Sequence, residues 1–432
     1  MPESEIFDGR SPRLWLRLEQ HDDKAFYANV PEVGDGIVLN ANLAESSAAS
    51  CASFVDKMSR PFCFDPVSYR FTVPEWLLQE RGEGPEKRNY SRLWKKYSSG
   101  IEPWSGDPLA DAREVMSLSE LNLAKYARNT LDYQDFQLRH AWISEAQTFV
   151  GMEPLFGTFA PAAYTAPYLI QTRDGDRSTV AAASLARLTA ELAKPRGTMA
   201  VVAMEPDLLD DPARMALIAK LYASCGAHAV WIWTVGLPAI ALADRPTRFT
   251  NYLRLVRTLS DAGVEVGIMY GGFLAALLRF VGVKAISHGL MYGEVRGAVP
   301  AGGGPLPNFY WPPLHRFVNY ERAKAMVESM TPSEFLERVC ACDICRTLVT
   351  EPRGLNRYFE ANRPGKATRD FPVRSSLELN RFHFLMARGQ EMINLRGGIL
   401  PELIDQLLVA ATEFGDPSKE PLRVWVRRLE SA

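Results

Sequence analysis

The chain has no apolar run approaching the roughly 20 residues needed to cross a bilayer, which argues against a helical membrane protein and predicts no membrane partner. Its first residues, MPESEIFDGR, lack the basic start and apolar stretch of a signal peptide, so a cytoplasmic protein is expected. There is little excess of either charge: 49 Lys and Arg stand against 51 Asp and Glu, a net charge of -2. That excludes a uniformly basic coat but leaves room for a local basic face that meets nucleic acid. Cysteine is scarce too, with six in 432 residues. Cys51, Cys63 and Cys225 stand alone and read as small buried apolar residues, while the other three fall within six positions. With 47% hydrophobic residues a core of normal size can form without disulfides. No internal repeat or low-complexity tract appears beyond the loop-like Gly302-Gly303-Gly304.

What is present is an alternation of short apolar runs and helical patterns. Buried strands are predicted at 37–40, 61–64, 199–203, 229–233, 264–269 and 283–286, with weaker candidates near 148–159 and 308–314. Continuous apolarity suits parallel strands covered on both faces. Helices are predicted at 45–59, 180–194, 212–224, 247–261, 271–280 and 319–330. Three of them end in glycine just before a strand, at Gly226, Gly263 and Gly282, where a left-handed residue turns the chain back to the sheet. Eight strand candidates in βα order predict a (β/α)8 TIM-like barrel over residues 1–330. A polar, helix-like insertion at about 78–140 follows the second predicted strand, and 331–432 form a zinc-binding subdomain with C-terminal helices. Thr331-Pro332-Ser333-Glu334 carries the signature of a capped helix start.

Cys340, Cys342 and Cys345 form a C-x-C-x-x-C turn that can direct three thiolates at one ion. Tetrahedral zinc then needs a fourth ligand, and His383, on a helical segment between Phe382 and Phe384, can supply it. One structural Zn2+ is the expected cofactor.

This C-x-C-x-x-C turn, followed by a helix bearing a His-Phe element, resembles the tRNA-guanine transglycosylases and their DNA-modifying relatives that insert 7-deazaguanine derivatives. Ile268-Met269-Tyr270-Gly271-Gly272 is similar to the penultimate, glycine-rich strand of that superfamily. The resemblance covers roughly 199–396 by motif, and the N-terminal half by fold pattern alone. It implies a (β/α)8 barrel that exchanges guanine for a modified base in DNA or tRNA, with the zinc site after the last strand. The gap between Cys345 and His383 is longer than in the tRNA enzymes, and their Asp-Ser-Gly-Gly-Phe-Gln signature is absent. Where they carry the nucleophilic aspartate this chain offers Ser287-His288-Gly289. These departures, and the lack of a recognisable C-terminal RNA-binding domain, favour DNA slightly over tRNA. The alternative is a catalytically inactive relative serving as a nucleic-acid-binding or partner subunit. A homodimer or partner protein fits either expectation.

Barrel enzymes carry reactive groups at the C-terminal ends of strands. Base exchange needs a carboxylate at C1′ and an acid for the departing base. By position, Asp65, Glu205 and His288 are the catalytic candidates, and Asp207, Tyr292 and Glu294 the substrate-binding ones. Asp65 and Glu205 each precede a proline and are equally compatible with turns, while Glu294 is placed to pair with Arg296 on the surface. For nucleic-acid contact, Lys87, Arg88, Arg92, Lys95 and Lys96 interleave with Tyr90, Trp94 and Tyr97, a pattern suited to phosphate contact and stacking if the aromatics are exposed. Residues 346–396 add ten Lys and Arg against five Asp and Glu, or 10 − 5 = +5.

Overall fold

In a computed structural model the chain forms a closed parallel barrel with helices around it. The structure describes residues 6–7, 12–73, 89–102, 115, 117–150, 160–173, 176–237, 239–242, 245–290, 294–299, 308–350, 354–359, 376–416 and 419–430. The strands are β1 (Arg13–Leu18), β2 (Gly36–Asn40), β3 (Phe62–Asp65), β4 (Tyr164–Thr165), β5 (Ile170–Gln171), β6 (Thr198–Met204), β7 (Ala229–Thr234), β8 (Glu265–Met269) and β9 (Val283–His288). They pair in parallel in the order β3-β2-β1-β9-β8-β7-β6-β4, and β5 also pairs with β6. The Ala162 N–H donates to the Phe62 carbonyl at 2.8 Å, which joins the β4 segment to β3 and closes the ring. Because β4 and β5 are halves of one interrupted strand, the barrel has eight staves, as a (β/α)8 fold requires.

The six clear strand predictions hold within a residue or two. Two staves escaped the sequence pattern for identifiable reasons. Arg-Leu-Trp-Leu-Arg-Leu in β1 confines its apolar run to three residues between two arginines, yet Arg17 is only 1% exposed because it points into the barrel. The β4–β5 stave is broken by Pro167, which cannot donate to a ladder. Of the weak candidates, 148–150 belong to the helix Glu120–Val150 and 151–159 lie outside the described residues. The other, 308–314, contains a strand but not a stave: β10 (Asn308–Trp311) pairs antiparallel with β11 (Arg316–Asn319) in a separate hairpin. Counting β1, the helical insertion follows the third barrel strand, the same segment 62–65 that was expected to precede it. The three glycines after helices all have positive φ, as predicted: Gly226 at 80°, Gly263 at 80° and Gly282 at 110°.

The inside of the barrel is layered. At the end where the strands begin, Trp15 and Trp231 meet edge to face with centroids 6.4 Å apart, and Phe7 packs on Trp231 at 4.9 Å. The Phe7 N–H donates to Glu265 at 3.0 Å, pinning the N-terminal segment across this opening. So large a ring fits only because β8 carries Gly267, where a Cβ would lie 2.4 Å from the Trp231 ring.

After β9 the chain leaves the barrel to build the β10–β11 hairpin and the short helices Tyr320–Glu328, Pro332–Arg338 and Asp343–Val349. It then returns as the helix Ser376–Gly397, which lies against β9 and β1: Phe382 packs on Phe26 at 4.8 Å and Phe384 on His288 at 5.4 Å. The subdomain is therefore inserted between the eighth stave and the helix that covers it. This helix joins two cores. Phe382, Leu385 and Leu395 belong to the barrel, whereas Leu379 packs with Phe309, Trp311, Leu348 and Tyr358. The predicted start at Thr331 is a complete capping box: Thr331 Oγ1 accepts from the Glu334 N–H, and the Glu334 carboxylate accepts from the Thr331 N–H. Among the described residues no helix is long and apolar enough to cross a membrane.

Substituting Gly267→Ala forces Trp231 or β8 to move, and a destabilisation of about 1–3 kcal/mol is expected from overpacking. Urea denaturation of the two proteins measures it; equal midpoints contradict this account of the barrel floor.

Candidate active site and metal centre

At the C-terminal end of the barrel the interior turns from apolar to charged. Arg17 on β1 pairs with Asp65 on β3, and both side chains are 1% exposed. Asp65 is further fixed by the Val67 N–H at 2.9 Å and the Tyr168 hydroxyl at 2.8 Å, both donating to Oδ1. Just past β1, Glu19 accepts from Arg17 Nε at 3.3 Å and Tyr270 at 3.3 Å, and pairs with Arg296. Burial pushes the Glu19 carboxyl up, but Arg296, Arg17 and Arg70 outweigh it and bring it down to about 2. Around these charges stand aromatic rings. Tyr69 stacks on Tyr168 at 5.6 Å and meets Trp233 at 4.9 Å, Trp233 meets Tyr270 at 5.3 Å, and Arg17 lies 4.4 Å above the Tyr270 ring. Tyr270 holds a left-handed backbone, φ 54°, rare for a bulky residue and typical of functional or constrained positions. The void left beside Arg17 and Asp65 is about 10 Å³, room for one water at most. This is a mouth filled by its own side chains.

The predicted catalytic residues separate here. Asp65 points inward at the centre of the mouth. Glu205 follows β6, continues the inward series Val201 and Ala203, and is half-buried at the rim. His288 does not join them. Alternation along β9 turns Ser287 inward beside Met269 and sends His288 outward, where it is wholly buried against Phe384. Its Nδ1 lies 2.9 Å from the Gly289 carbonyl, and burial with Arg388 nearby lowers its pKa to about 3. The imidazole is neutral and faces away from the mouth.

Asp207 sits in the turn Pro206–Asp210 with its Oδ1 buried and without a hydrogen-bond partner. Glu294 pairs with the fully buried Arg388, not with Arg296 as the sequence suggested. Tyr292 lies outside the described residues. Sequence reasoning missed Arg17, Glu19, Tyr168 and Arg296; a buried arginine beside a short apolar run was the one signal available.

Of the nucleic-acid candidates, Lys87 and Arg88 lie outside the described residues. Arg92, Lys95 and Lys96 are on the exposed face of the helix Asn89–Tyr97. The interleaved aromatics are not exposed: Trp94 and Tyr97 are wholly buried against Phe71 and Tyr126, because their spacing places them on the inner face of an amphipathic helix, so they do not serve as stacking platforms on the surface. Lys96 is engaged with Glu45 at 2.7 Å. Within the basic stretch 346–396, Arg388 and Arg396 are bound to Glu294 and Asp35, so part of its charge is spent internally.

The metal centre assembles as predicted. The ligand atoms of Cys340, Cys342, Cys345 and His383 all lie within 4.8 Å of one another. Cys342 caps the helix Asp343–Val349 and Cys345 lies in its first turn, so one short helix start aims two sulfurs at one point. His383 Nδ1 is 3.6 Å from the Cys342 sulfur and 3.4 Å from that of Cys345. Ligands about 2.0–2.3 Å from a tetrahedral ion lie about 3.5 Å apart, so these separations suit a shared metal. On the far side of the ring, Nε2 bonds the Tyr310 carbonyl at 2.9 Å, which places the proton there and leaves Nδ1 free to ligate. Phe309 stacks on the imidazole at 4.6 Å and Tyr358 donates to or accepts from Cys345 at 3.1 Å. Without an ion the thiols are divided: hydrogen bonds from Cys340 and Cys345 hold Cys342 far below its ordinary value, while burial and the neighbouring cysteines push Cys345 well above it. The four residues form a Cys3His set that can bind a metal ion.

No family model and no curated protein matches the chain. Among solved structures, a crystal structure from Burkholderia cenocepacia J2315, provisionally described as a lyase/mutase, aligns at 13% identity over 83% of this chain and 94% of that chain. Its TM-score of 0.32 is too low to carry an argument about activity.

Two predictions follow from these geometries. Cys345→Ala is expected to reduce bound metal from about one ion per chain to none and to lower the melting temperature; metal analysis with calorimetry checks both. For Glu19, a folded pKa of about 2 against an ordinary 4.5 means stability present above pH 4.5 and lost as pH falls towards 2. The shift of about 2.5 units corresponds to about 3 kcal/mol. Acid titration of stability in wild type and Glu19→Gln should converge across that window, and parallel curves contradict the assignment.

Proposed function

We propose that the protein is a zinc-containing base-exchange enzyme of the guanine transglycosylase type, acting on guanine in nucleic acid, with Asp65 as its reacting carboxylate. The observation that carries this is the setting of Asp65: an inward carboxylate at the C-terminal mouth, bordered by the faces and edges of Tyr69, Tyr168, Trp233 and Tyr270. A flat heterocycle is held by such rings through stacking, and a base leaving a duplex must find that replacement for the neighbours it loses. The Cys3His centre in the subdomain between the last stave and its helix matches the family resemblance seen in the sequence.

Asp65 Oδ attacks C1′ of the target nucleotide, the C1′–N9 bond breaks, and its electron pair stays on the departing guanine. Glu205, half-buried at the rim, supplies the proton that neutralises that base. The incoming 7-deazaguanine-type base then displaces the carboxylate from C1′, giving up a proton to the same residue. Arg17 and Tyr168 orient Asp65 towards the reacting carbon. Tyr69, Tyr168 and Trp233 are wholly buried, so the aromatic side chains must part for a base to enter. Cys340, Cys342, Cys345 and His383 would hold a zinc ion, which would supply folding energy and no reacting group.

A second reading, a subunit that binds nucleic acid without exchanging a base, is favoured by the tight engagement of Asp65 with Arg17. Incorporation of labelled guanine into DNA and tRNA separates the two. Exchange is expected with one polymer, and Asp65→Asn should lower it at least about a hundredfold while metal content is kept. Tight binding with no exchange by the wild type contradicts the enzyme reading.

A further inference from the structure

We infer that Arg388 is a positioning residue through which the metal-binding subdomain sets the geometry of the barrel mouth. It occupies the middle of a path of hydrogen bonds and ion pairs between the two sites, joined covalently through Tyr310 and through residues 294–296. His383, a metal-ligand candidate, bonds the Tyr310 carbonyl at 2.9 Å. The hydroxyl of the same tyrosine donates to Glu391, 2.8 Å from each carboxylate oxygen, and His315 adds Nδ1 at 2.8 Å. Glu391 lies 3.4 Å from Arg388, whose guanidinium also pairs with Glu294. Two residues on, Arg296 pairs with Glu19, and Glu19 with Arg17, the partner of Asp65.

Two features make this path directive. Arg388 is 0% exposed, and neither its Nε nor its Nη1 has a hydrogen-bond partner among the described residues, so the bond to Glu294, the ion pair with Glu391 and the Tyr310 and Phe384 rings hold the guanidinium. A buried charge of this kind cannot relax into water if one carboxylate moves away, which makes the arrangement close to all-or-none. The segment carrying Glu294 is also fastened to the mouth. The Arg296 carbonyl accepts from Trp233 Nε1 at 3.2 Å and from the Gly236 N–H at 2.7 Å. Close beneath it, Gly272 leaves the space that the Glu294 carboxylate occupies, since a Cβ there would lie 2.9 Å from Oε1. The hairpin position, set at one end by the metal ligand His383, is thus transmitted to Glu19 and Arg17 at the other.

Hydrogen exchange followed by mass spectrometry tests this, with zinc-loaded and chelator-stripped protein. Stripping zinc from the wild type is expected to speed exchange in 14–19 and 294–299 at least about tenfold. Arg388→Met should keep its zinc yet show the same faster exchange at the mouth, and stripping it should add less than about twofold there, because the path is already cut. If Arg388→Met does not fold, Tyr310→Phe removes only the hydroxyl bond to Glu391 and should give the same pattern. Loosening confined to 308–349 on zinc removal overturns the inference, as do effects of metal and Arg388 that simply add. No substrate enters the measurement, so its outcome is independent of whether the protein exchanges bases.

Discussion

A guanidinium buried inside a barrel has to be neutralised where it stands, because unpaired charge in that environment costs several kcal/mol. Arg17 is such a group, and much of the mouth follows from balancing it. Asp65 comes from β3 and Glu19 from the end of β1. Glu19 in turn draws in Arg296 from the loop after β9, and Tyr168 and Tyr270 complete the bonding. Charges from three parts of the chain are thereby held in fixed register at the end of the barrel where loops converge. Aromatic rings cover the cluster, lowering the local dielectric and strengthening each pair. The same enclosure sets a carboxylate beside flat faces, which is the arrangement the proposed role of Asp65 needs.

The second organising feature is topological. An insertion between the last stave and its helix obliges that helix to serve two cores. The helix Ser376–Gly397 does so with successive residues: Phe382 and Leu385 face the barrel, His383 faces the metal centre, and Arg388 lies between β9 and the hairpin. A metal would add to the apolar core of this appendage, because four ligands would tie the 340–345 turn to the helix that also packs on the barrel. It also means that disturbance of the ligand set is felt along a helix packed directly on the barrel.

Much of this was legible in the sequence, and the failures have physical causes. The cysteine spacing and His383 identified the metal centre because ligand chemistry is local and needs no knowledge of the fold beyond one distant contact. Six staves were visible because strands buried on both faces are continuously apolar. β1 was hidden by charges that are solvated in most proteins and internal here, and β4–β5 by Pro167. His288 and Asp65 looked alike as strand-end residues; a one-residue difference in alternation puts one outside the barrel and the other at its centre. Trp94 and Tyr97, whose pattern allowed either stacking beside cations or an inward face, proved to be the apolar face of a helix. Arg17 and Glu19 could be recognised only once β1 was a stave.

The central claim is that the aromatic and acidic mouth receives a nucleobase. The most direct measurement is a crystal structure of the protein soaked with guanine or a 7-deazaguanine. The account predicts the ring against Tyr69, Tyr168, Trp233 or Tyr270, with Glu205 at its edge and Asp65 facing the position where C1′ would lie. A base bound elsewhere, with the mouth still closed over Arg17 and Asp65, would contradict it.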